Sequence, residues 1–124
     1  MDFKHLKLVD RDDVVTVYFA AASILDESVI QQIGKEFTGV ALEAAGERKL
    51  LLNFQGVKFM SSAMIGKIVR LHKQCKNDKI TLKLCAIAPE LLEVFTITRL
   101  DKILDIYDSE DKALASFKKR GFFR

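Results

Sequence analysis

The stretch from Leu50 to Cys75 constrains the fold of this chain more than any other. It opens with three consecutive leucines, Leu50–Leu52, which with the following Gly56 are typical of a short buried strand. After a polar turn and the serine pair Ser61–Ser62, apolar residues recur at helical spacing to about Cys75. The pattern predicts a strand, a turn, and an amphipathic helix that begins at the serine pair.

The predicted helix has an inner and an outer face. Its inner face is formed by Ile65, Ile68, Val69, Leu71, His72 and Cys75. Its outer side carries a basic stripe that comprises Lys67, Arg70, Lys73, Lys76 and Lys79. We interpret the stripe as a solvated helix face. A docking surface for an acidic partner is the alternative.

The serine pair itself has two interpretations. A serine at the start of a helix can cap it, because its hydroxyl accepts from a free backbone N–H. The other interpretation is a modifiable hydroxyl. A phosphate would bring about −1.5 to −2 charges to the positive end of the helix dipole, where the fold would tolerate it.

Composition excludes several classes of protein. With 124 residues, 49% hydrophobic and 30% charged, the chain is predicted to be one domain over 1–124, with a tail from about Lys118 that contains Phe122 and Phe123. The net charge of +3 is too weak to predict nucleic-acid binding. No apolar run is long enough to span a membrane, and Met1–His5 does not resemble a secretory signal. We therefore expect a cytoplasmic protein without membrane insertion.

The rest of the chain predicts an α/β fold. Strands are predicted at Phe3–Val9 and Val14–Phe19, joined by the charged turn Asp10–Asp13 into an antiparallel hairpin. Ala20–Leu25 is predicted to be a loop, and Asp26 to cap a helix. The later predicted strands are Lys49–Phe54, Ile80–Ala88 and Ile103–Tyr107, with helices starting at Pro89 and at Asp108 or Ser109. The expected architecture is a mixed four- to five-stranded sheet with an N-terminal β-hairpin and about four helices.

Residues that could perform catalysis are sparse. His72 follows Ser62 by ten positions, roughly 15 Å along a helix, which is too far for a serine–histidine pair. Asp10, Asp12 and Asp13 are interpreted as a solvated turn. Cys75 and Cys85 lack metal-binding spacing and are predicted to be reduced, buried thiols. The sequence predicts no enzyme, no metal and no cofactor.

Several of these segments together resemble a known family. The apolar strand, the turn Val57–Met60, the serine pair and Ile65–Gly66 are similar to the STAS domain of bacterial anti-sigma factor antagonists. The resemblance continues without an obvious gap from about Asp13 to Phe117. Its downstream parts are Leu82–Glu90, Phe95–Leu104 and Asp108–Ala113.

The resemblance also indicates site residues. The family usually has aspartate, serine, serine or threonine, and glycine at this helix start; placed without gaps, its aspartate falls on Ser61 and its phosphorylated serine on Ser62. Ser61 is the second candidate for phosphorylation. Asn53 stands where the family often has an aspartate. The expected partner-binding residues are Ala21, Ala22, Ser23, Ser61, Ser62 and Met64, with Met64 expected on the exposed shoulder of the site.

The resemblance implies a function. An unphosphorylated antagonist binds an anti-sigma factor, typically also a serine kinase, and so frees the sigma factor. Phosphorylation of the serine ends that binding, and a serine phosphatase restores it; such a protein binds neither nucleic acid nor a nucleotide itself. The alternative is a constitutive STAS scaffold, or a ligand-sensing domain of a larger signalling or transporter-associated assembly. The sequence does not predict the oligomeric state.

Overall fold

The computed structural model describes residues 3–122, in which strands and helices alternate after an initial hairpin. The strands are β1 (Leu6–Arg11), β2 (Val14–Phe19), β3 (Ser23–Ile24), β4 (Lys49–Asn53), β5 (Phe59–Met60), β6 (Thr81–Cys85) and β7 (Asp105–Tyr107). The helices are α1 (Glu27–Ala44), α2 (Ser62–Asn77), α3 (Pro89–Ile97) and α4 (Glu110–Phe122), with a 3-10 helix at Leu100–Lys102. The predicted α/β class with four α-helices is confirmed.

The main sheet is mixed, as predicted. Its strand order is β1-β2-β4-β6-β7, with β1 antiparallel to β2 and the other neighbours parallel. Asp12 and Asp13 turn the hairpin with φ values of 56° and 65°. Two left-handed residues in a two-residue loop match the twist of the paired strands, which explains why so short a turn suffices.

Helices cover both faces of the sheet. Leu50 and Leu52 belong to the larger apolar cluster, which includes buried residues of α1 and α2. Leu51, between them, points to the opposite face and packs in a smaller cluster with residues of α4. The alternation explains why this strand is apolar at every position: both of its faces are buried.

A lysine is buried under α4. Lys83, on β6, is 2% exposed. Its Nζ donates to Ser116 Oγ at 2.7 Å and to Tyr107 Oη at 3.2 Å, and lies 3.4 Å from a carboxylate oxygen of Asp105. These partners satisfy the ammonium group, so α4 is attached to the sheet through a polar contact as well as an apolar one.

Two short strands correct the predicted loops. β3 lies inside the segment Ala20–Leu25, which was predicted to be a loop, and it pairs in parallel with β5 inside the predicted turn Val57–Met60. A two-residue strand shows no periodicity, so its pairing with a distant segment could not be recognised from the sequence.

Other boundaries also differ from the predictions. β1 begins at Leu6 and continues to Arg11, because the hairpin turn needs only two residues. Helix α4 continues to Phe122, past Lys118, where a tail was expected. Of the two phenylalanines of the expected tail, the side chain of Phe122 and the whole of Phe123 lie outside the described part of the structure. Within residues 3–122, no helix is both long and apolar enough to cross a membrane.

Candidate functional site around the serine pair

The two serines have different roles at the start of α2. Ser61 is the N-cap, with extended backbone angles, and its Oγ accepts from the backbone N–H of Met64 at 3.3 Å. Ser62 is the first residue of the helix, and its side chain is exposed. Among the described residues, none hydrogen-bonds the Ser62 hydroxyl. The capping interpretation therefore applies to Ser61 and not to Ser62.

Backbone hydrogen bonds hold the segment Ala20–Leu25 beside the serines. The carbonyl of Ala22 accepts from the N–H of Lys58 at 2.7 Å, and the carbonyl of Ile24 accepts from the N–H of Ser61 at 3.1 Å. Ala22 and Ser23 are exposed, and Ala21 is partly buried. The structure thus brings Ala21, Ala22 and Ser23 together with the serine pair, as the partner-surface prediction requires.

Met64 contradicts its predicted exposure. Its side chain is 0% exposed and packs in the larger apolar cluster. Met64 precedes Ile68 by four positions, so it lies on the inner face of α2 with Ile68, Leu71 and Cys75. That spacing was present in the sequence and could have identified Met64 as a core residue. It cannot contact a partner directly in this structure.

Exposed apolar side chains lie beside the site; Leu25 ends the loop that was predicted to contain partner-binding residues, whereas Phe59 was not predicted from the sequence. Leu25, directly after β3, is 58% exposed, and Phe59 on β5 is 60% exposed. Phe59 also lines a cleft of ≈ 360 Å³ between β5 and α3, with Val94 on the opposite wall. A phenylalanine within a predicted polar turn was the available signal. Leu25 follows Ile24, whose carbonyl accepts from the N–H of Ser61, and Phe59 precedes the serine pair by two residues, so these two exposed apolar side chains lie beside the serine site. Exposed apolar side chains of this kind are typical of the core of a protein interface.

The electrostatics of the helix start favour an anion. The first turn of α2 contains no aspartate or glutamate. The positive end of the helix dipole is therefore not neutralised by acidic side chains of that turn. Lys58, just before the site, is exposed and adds positive charge. An anionic group on Ser62 would meet a favourable local field.

Other reactive groups lie apart from Ser62 and are not activated. Burial and, secondarily, the carboxylate of Asp78 raise the pKa of the Cys75 thiol to about 12. Burial and Glu110 raise the pKa of the Cys85 thiol to about 12. Both thiols stay protonated near neutral pH and are poor nucleophiles. Burial and Lys76 lower the pKa of His72, which lies ten residues along α2 from Ser62.

No metal centre is found in the described part of the chain, where no three histidine, cysteine, aspartate or glutamate residues are grouped to hold a cation. The aspartates of the hairpin belong to its solvent-exposed end, and Asp12 lies 3.9 Å from the ammonium of Lys118. They are therefore part of the surface charge pattern of the hairpin.

Asn53, the residue at the family's aspartate position, has a structural role. Its Oδ1 accepts from the N–H of Gln55 at 2.8 Å, and its Nδ2 donates to Glu110 at 2.8 Å. Glu110 also accepts from the Tyr18 hydroxyl at 2.6 Å and pairs with Arg11 at 3.1 Å. An aspartate could not donate to Glu110, so asparagine suits this group of side chains around Glu110, called the Glu110 junction below. The junction could not be predicted from the sequence, because its members are distant in the chain.

The same junction affects the ionisation of Tyr18. Burial, followed by the hydrogen bond to Glu110, raises the pKa of the Tyr18 hydroxyl to about 12. The phenol therefore remains a donor over the whole physiological pH range and fastens the start of α4 to β2.

The sequence of this chain is similar to the sequences of known proteins. The family model of the STAS domain matches residues 13–113. A candidate anti-sigma factor antagonist of Bordetella bronchiseptica, BtrV, is 32% identical over 73 residues, which are 59% of this chain and 63% of that protein. The match thus spans less than two thirds of that relative's length.

Solved structures share the fold. The crystal structure of a candidate anti-sigma factor antagonist from Thermotoga maritima superposes with a TM-score of 0.76 at 23% identity, covering 90% of this chain and 92% of that one. The Bacillus cell fate determinant SpoIIAA, in its phosphorylated form, superposes with a TM-score of 0.66 at 17% identity, covering 90% and 98% of the two chains. These structures confirm the arrangement of strands and helices. Since the family model also covers well over half of the sequence, the chain belongs to the STAS domain family.

Proposed function

We propose that this protein is an anti-sigma factor antagonist whose binding to an anti-sigma factor is switched off by phosphorylation of Ser62. The observation that supports the proposal most is that the two serines occupy different positions at the start of α2. Ser61 caps α2, while the Ser62 hydroxyl is exposed at the first helical position. Similarity to candidate anti-sigma factor antagonists of two bacteria, and to SpoIIAA, which was solved in a phosphorylated form, supports it further.

The proposed partner is an anti-sigma factor that is also a serine kinase. It would transfer the terminal phosphoryl group of ATP to the Ser62 oxygen, releasing ADP and the hydroxyl proton. A serine phosphatase would then hydrolyse the phosphoserine to serine and inorganic phosphate. In this proposal the protein is a substrate in the cytoplasm and holds no nucleotide of its own.

Local charge explains how the switch would work. The proposed binding surface contains the neutral Ser62 hydroxyl and the apolar side chains of Leu25 and Phe59. A partner fitted to that surface would have to bury a dianion after phosphorylation, which is costly unless a cation meets it. The folded domain itself would be little affected, because a helix N-terminus accommodates an anion. Phosphorylation would change the surface and leave the fold intact.

Incubation of the protein with its candidate kinase and ATP, followed by mass mapping, tests the proposal. Phosphate should appear on Ser62, and the variant Ser62→Ala should take up none. Ser61→Ala is the matched control, since it removes the neighbouring hydroxyl and the cap while the acceptor remains. Phosphate on Ser61 alone, or on neither serine, would contradict the assignment.

The constitutive scaffold is the second candidate function. It is favoured by the departure at the helix start, where Ser61 and a buried methionine occupy the positions of the usual aspartate and glycine. Binding of a partner that is equally tight for the wild type and for Ser62→Asp would support this alternative.

A further inference from the structure

A basic groove lies between α1 and α2, outside the serine site. It has a volume of ≈ 240 Å³ and is floored by the buried side chains of Phe37 and Leu71. Three cationic residues line it: Lys35 from α1, and Lys67 and Arg70 from α2. Among the described residues, no aspartate or glutamate lines the groove. The groove therefore concentrates positive charge at the contact between two helices.

The position of Lys67 is fixed by neighbours on α1. Its Nζ donates to Gln31 Oε1 at 3.2 Å, and Gln31 Nε2 donates to Glu27 at 2.7 Å, which sets the orientation of the amide. Gly34 makes room for the lysine stem, because a Cβ there would lie 3.0 Å from Lys67 Cδ and 3.1 Å from Cε. The ammonium group of Lys67 is thus bonded to the amide of Gln31 on the opposite helix, and Gly34 leaves room for its stem.

The three cations lack anionic partners within residues 3–122. The ion pairs in this part of the chain engage other basic residues, namely Arg11, Lys83, Lys112 and Lys118. Like charges around one cavity repel each other, and an anion in the groove would relieve that repulsion. We propose that the groove binds carboxylate side chains of an acidic segment in the protein partner.

The location of the groove fits a partner centred on Ser62. Arg70 follows Ser62 by eight residues, roughly 12 Å along the helix axis. A standard interface buries about 800 Å² on each partner and extends over that distance. The inference rests on the proposed function for the identity of the partner, whereas the site itself is defined by α1 and α2 alone. Carboxylates bound in the groove would add a charge-dependent contact beside the contact at Ser62 that phosphorylation is proposed to abolish.

The structure also separates the groove from the rest of the basic stripe. Lys67 and Arg70 line the groove, whereas Lys73, Lys76 and Lys79 are exposed and do not line it. A general attraction of acidic molecules to the net positive charge would involve both groups equally. A specific groove would depend on the first group. This difference supplies a matched control on the same helix.

Titration of the isotope-labelled full chain with an acetylated hexaglutamate peptide, followed by NMR at fixed ionic strength, tests the proposal. We expect saturable shifts at the amides of Gly34, Lys35 and Lys67. The double variant Lys67→Glu/Arg70→Glu should weaken binding about tenfold. Lys73→Glu/Lys76→Glu, with the same change in net charge, should weaken it less than about twofold, because screening limits distant charges.

A second variant changes the space available to Lys67 in the groove without changing any charge. Gly34→Ala should shift the Lys67 stem by a few tenths of an ångström and weaken binding of the peptide slightly, while Gly66→Ala, on the exposed face of α2, should leave the affinity for the peptide unchanged. Equal losses in the two charge-reversal pairs would overturn the proposal. Saturation of the same amides by sodium phosphate at lower concentration than by the peptide would also overturn it, in favour of a small-anion site. Neither arm involves a kinase or Ser62, so a failure here is distinct from a failure of the phosphorylation experiment.

Discussion

Replacing Gly66 by alanine should stabilise the protein. Gly66 lies inside α2, one turn after Ser62, and the helix surface at this position is exposed. A Cβ built there meets no atom within 4 Å, so the substitution adds no steric conflict. Glycine in a helix interior costs about 0.8–1.0 kcal/mol relative to alanine. The free energy of unfolding should therefore increase by about 1 kcal/mol, which for a domain of this size raises Tm by about 3–5 °C.

Urea denaturation followed by circular dichroism measures this change. The dependence of the unfolding free energy on urea concentration should stay the same, which checks that only stability has changed. Gly34→Ala is the control with the same gain in helix propensity. There the new Cβ would lie 3.0 Å from Lys67 Cδ, so part of the gain is lost in displacing that side chain. A Gly66→Ala variant that is no more stable than the wild type would refute the claim that this face of α2 is open.

The same variant tests why a destabilising residue occupies this position. Side chains four residues apart on a helix are neighbours, so Gly66 lies beside Ser62 on the helix surface. If a partner approaches the backbone there, an added methyl group should weaken binding while the folded domain becomes more stable. These opposite signs would separate a functional glycine from a merely tolerated one. Unchanged binding by the stabilised variant would place the partner elsewhere.

Three further substitutions test the site, the core and the junction at Glu110. Ser62→Asp should weaken partner binding with circular dichroism and melting nearly unchanged; an Asp variant that fails to fold would mean that Ser62 is structural. Ile68→Asp, at a position that is 0% exposed, should cost on the order of 4 kcal/mol or more of stability, whereas the exposed control Lys73→Asp should cost little; wild-type-like melting of the first would show that the inner face is misassigned. The pKa of Tyr18 is raised from its ordinary value of 10 to about 12 in the folded state, so the unfolded state loses the phenolic proton first and stability should fall as pH rises from 10 to 12. The buried thiols of Cys75 and Cys85, whose pKa values are also raised to about 12, contribute to the same fall. Tyr18→Phe should therefore make the fall less steep in urea unfolding measured at several pH values, and an equally steep fall would contradict the role of Tyr18.

Local patterns were sufficient to predict the main elements. The leucine run and the spacing after the serine pair predicted β4 and α2, because burial on two faces and on one face leave different periodicities. The charged turn predicted the hairpin, although its length was overestimated. The helix start at Ser61 and Ser62 followed from the chemistry of capping, which is local in sequence.

Features formed between distant segments could not be predicted. The pairing of β3 with β5 joins residues far apart in the chain and involves two residues on each side. The bonds of Glu110 to Tyr18 and Asn53 also span long separations. Met64 is different, because its spacing to Ile68 identified the inner face; the family position at the serine site outweighed that signal and led to the wrong expectation of exposure.

The unequal covering of the two sheet faces has a consequence for motion. Among the side chains that the structure describes, α4 rests on the smaller apolar cluster and on the polar contacts of Lys83, whereas α1 and α2 share the larger cluster. Elements with fewer apolar contacts open at lower free energy than the global transition. We expect α4 to detach first, so that amide protons of the sheet beneath it exchange with solvent, and the Cys85 thiol becomes reachable, while the serine site stays folded.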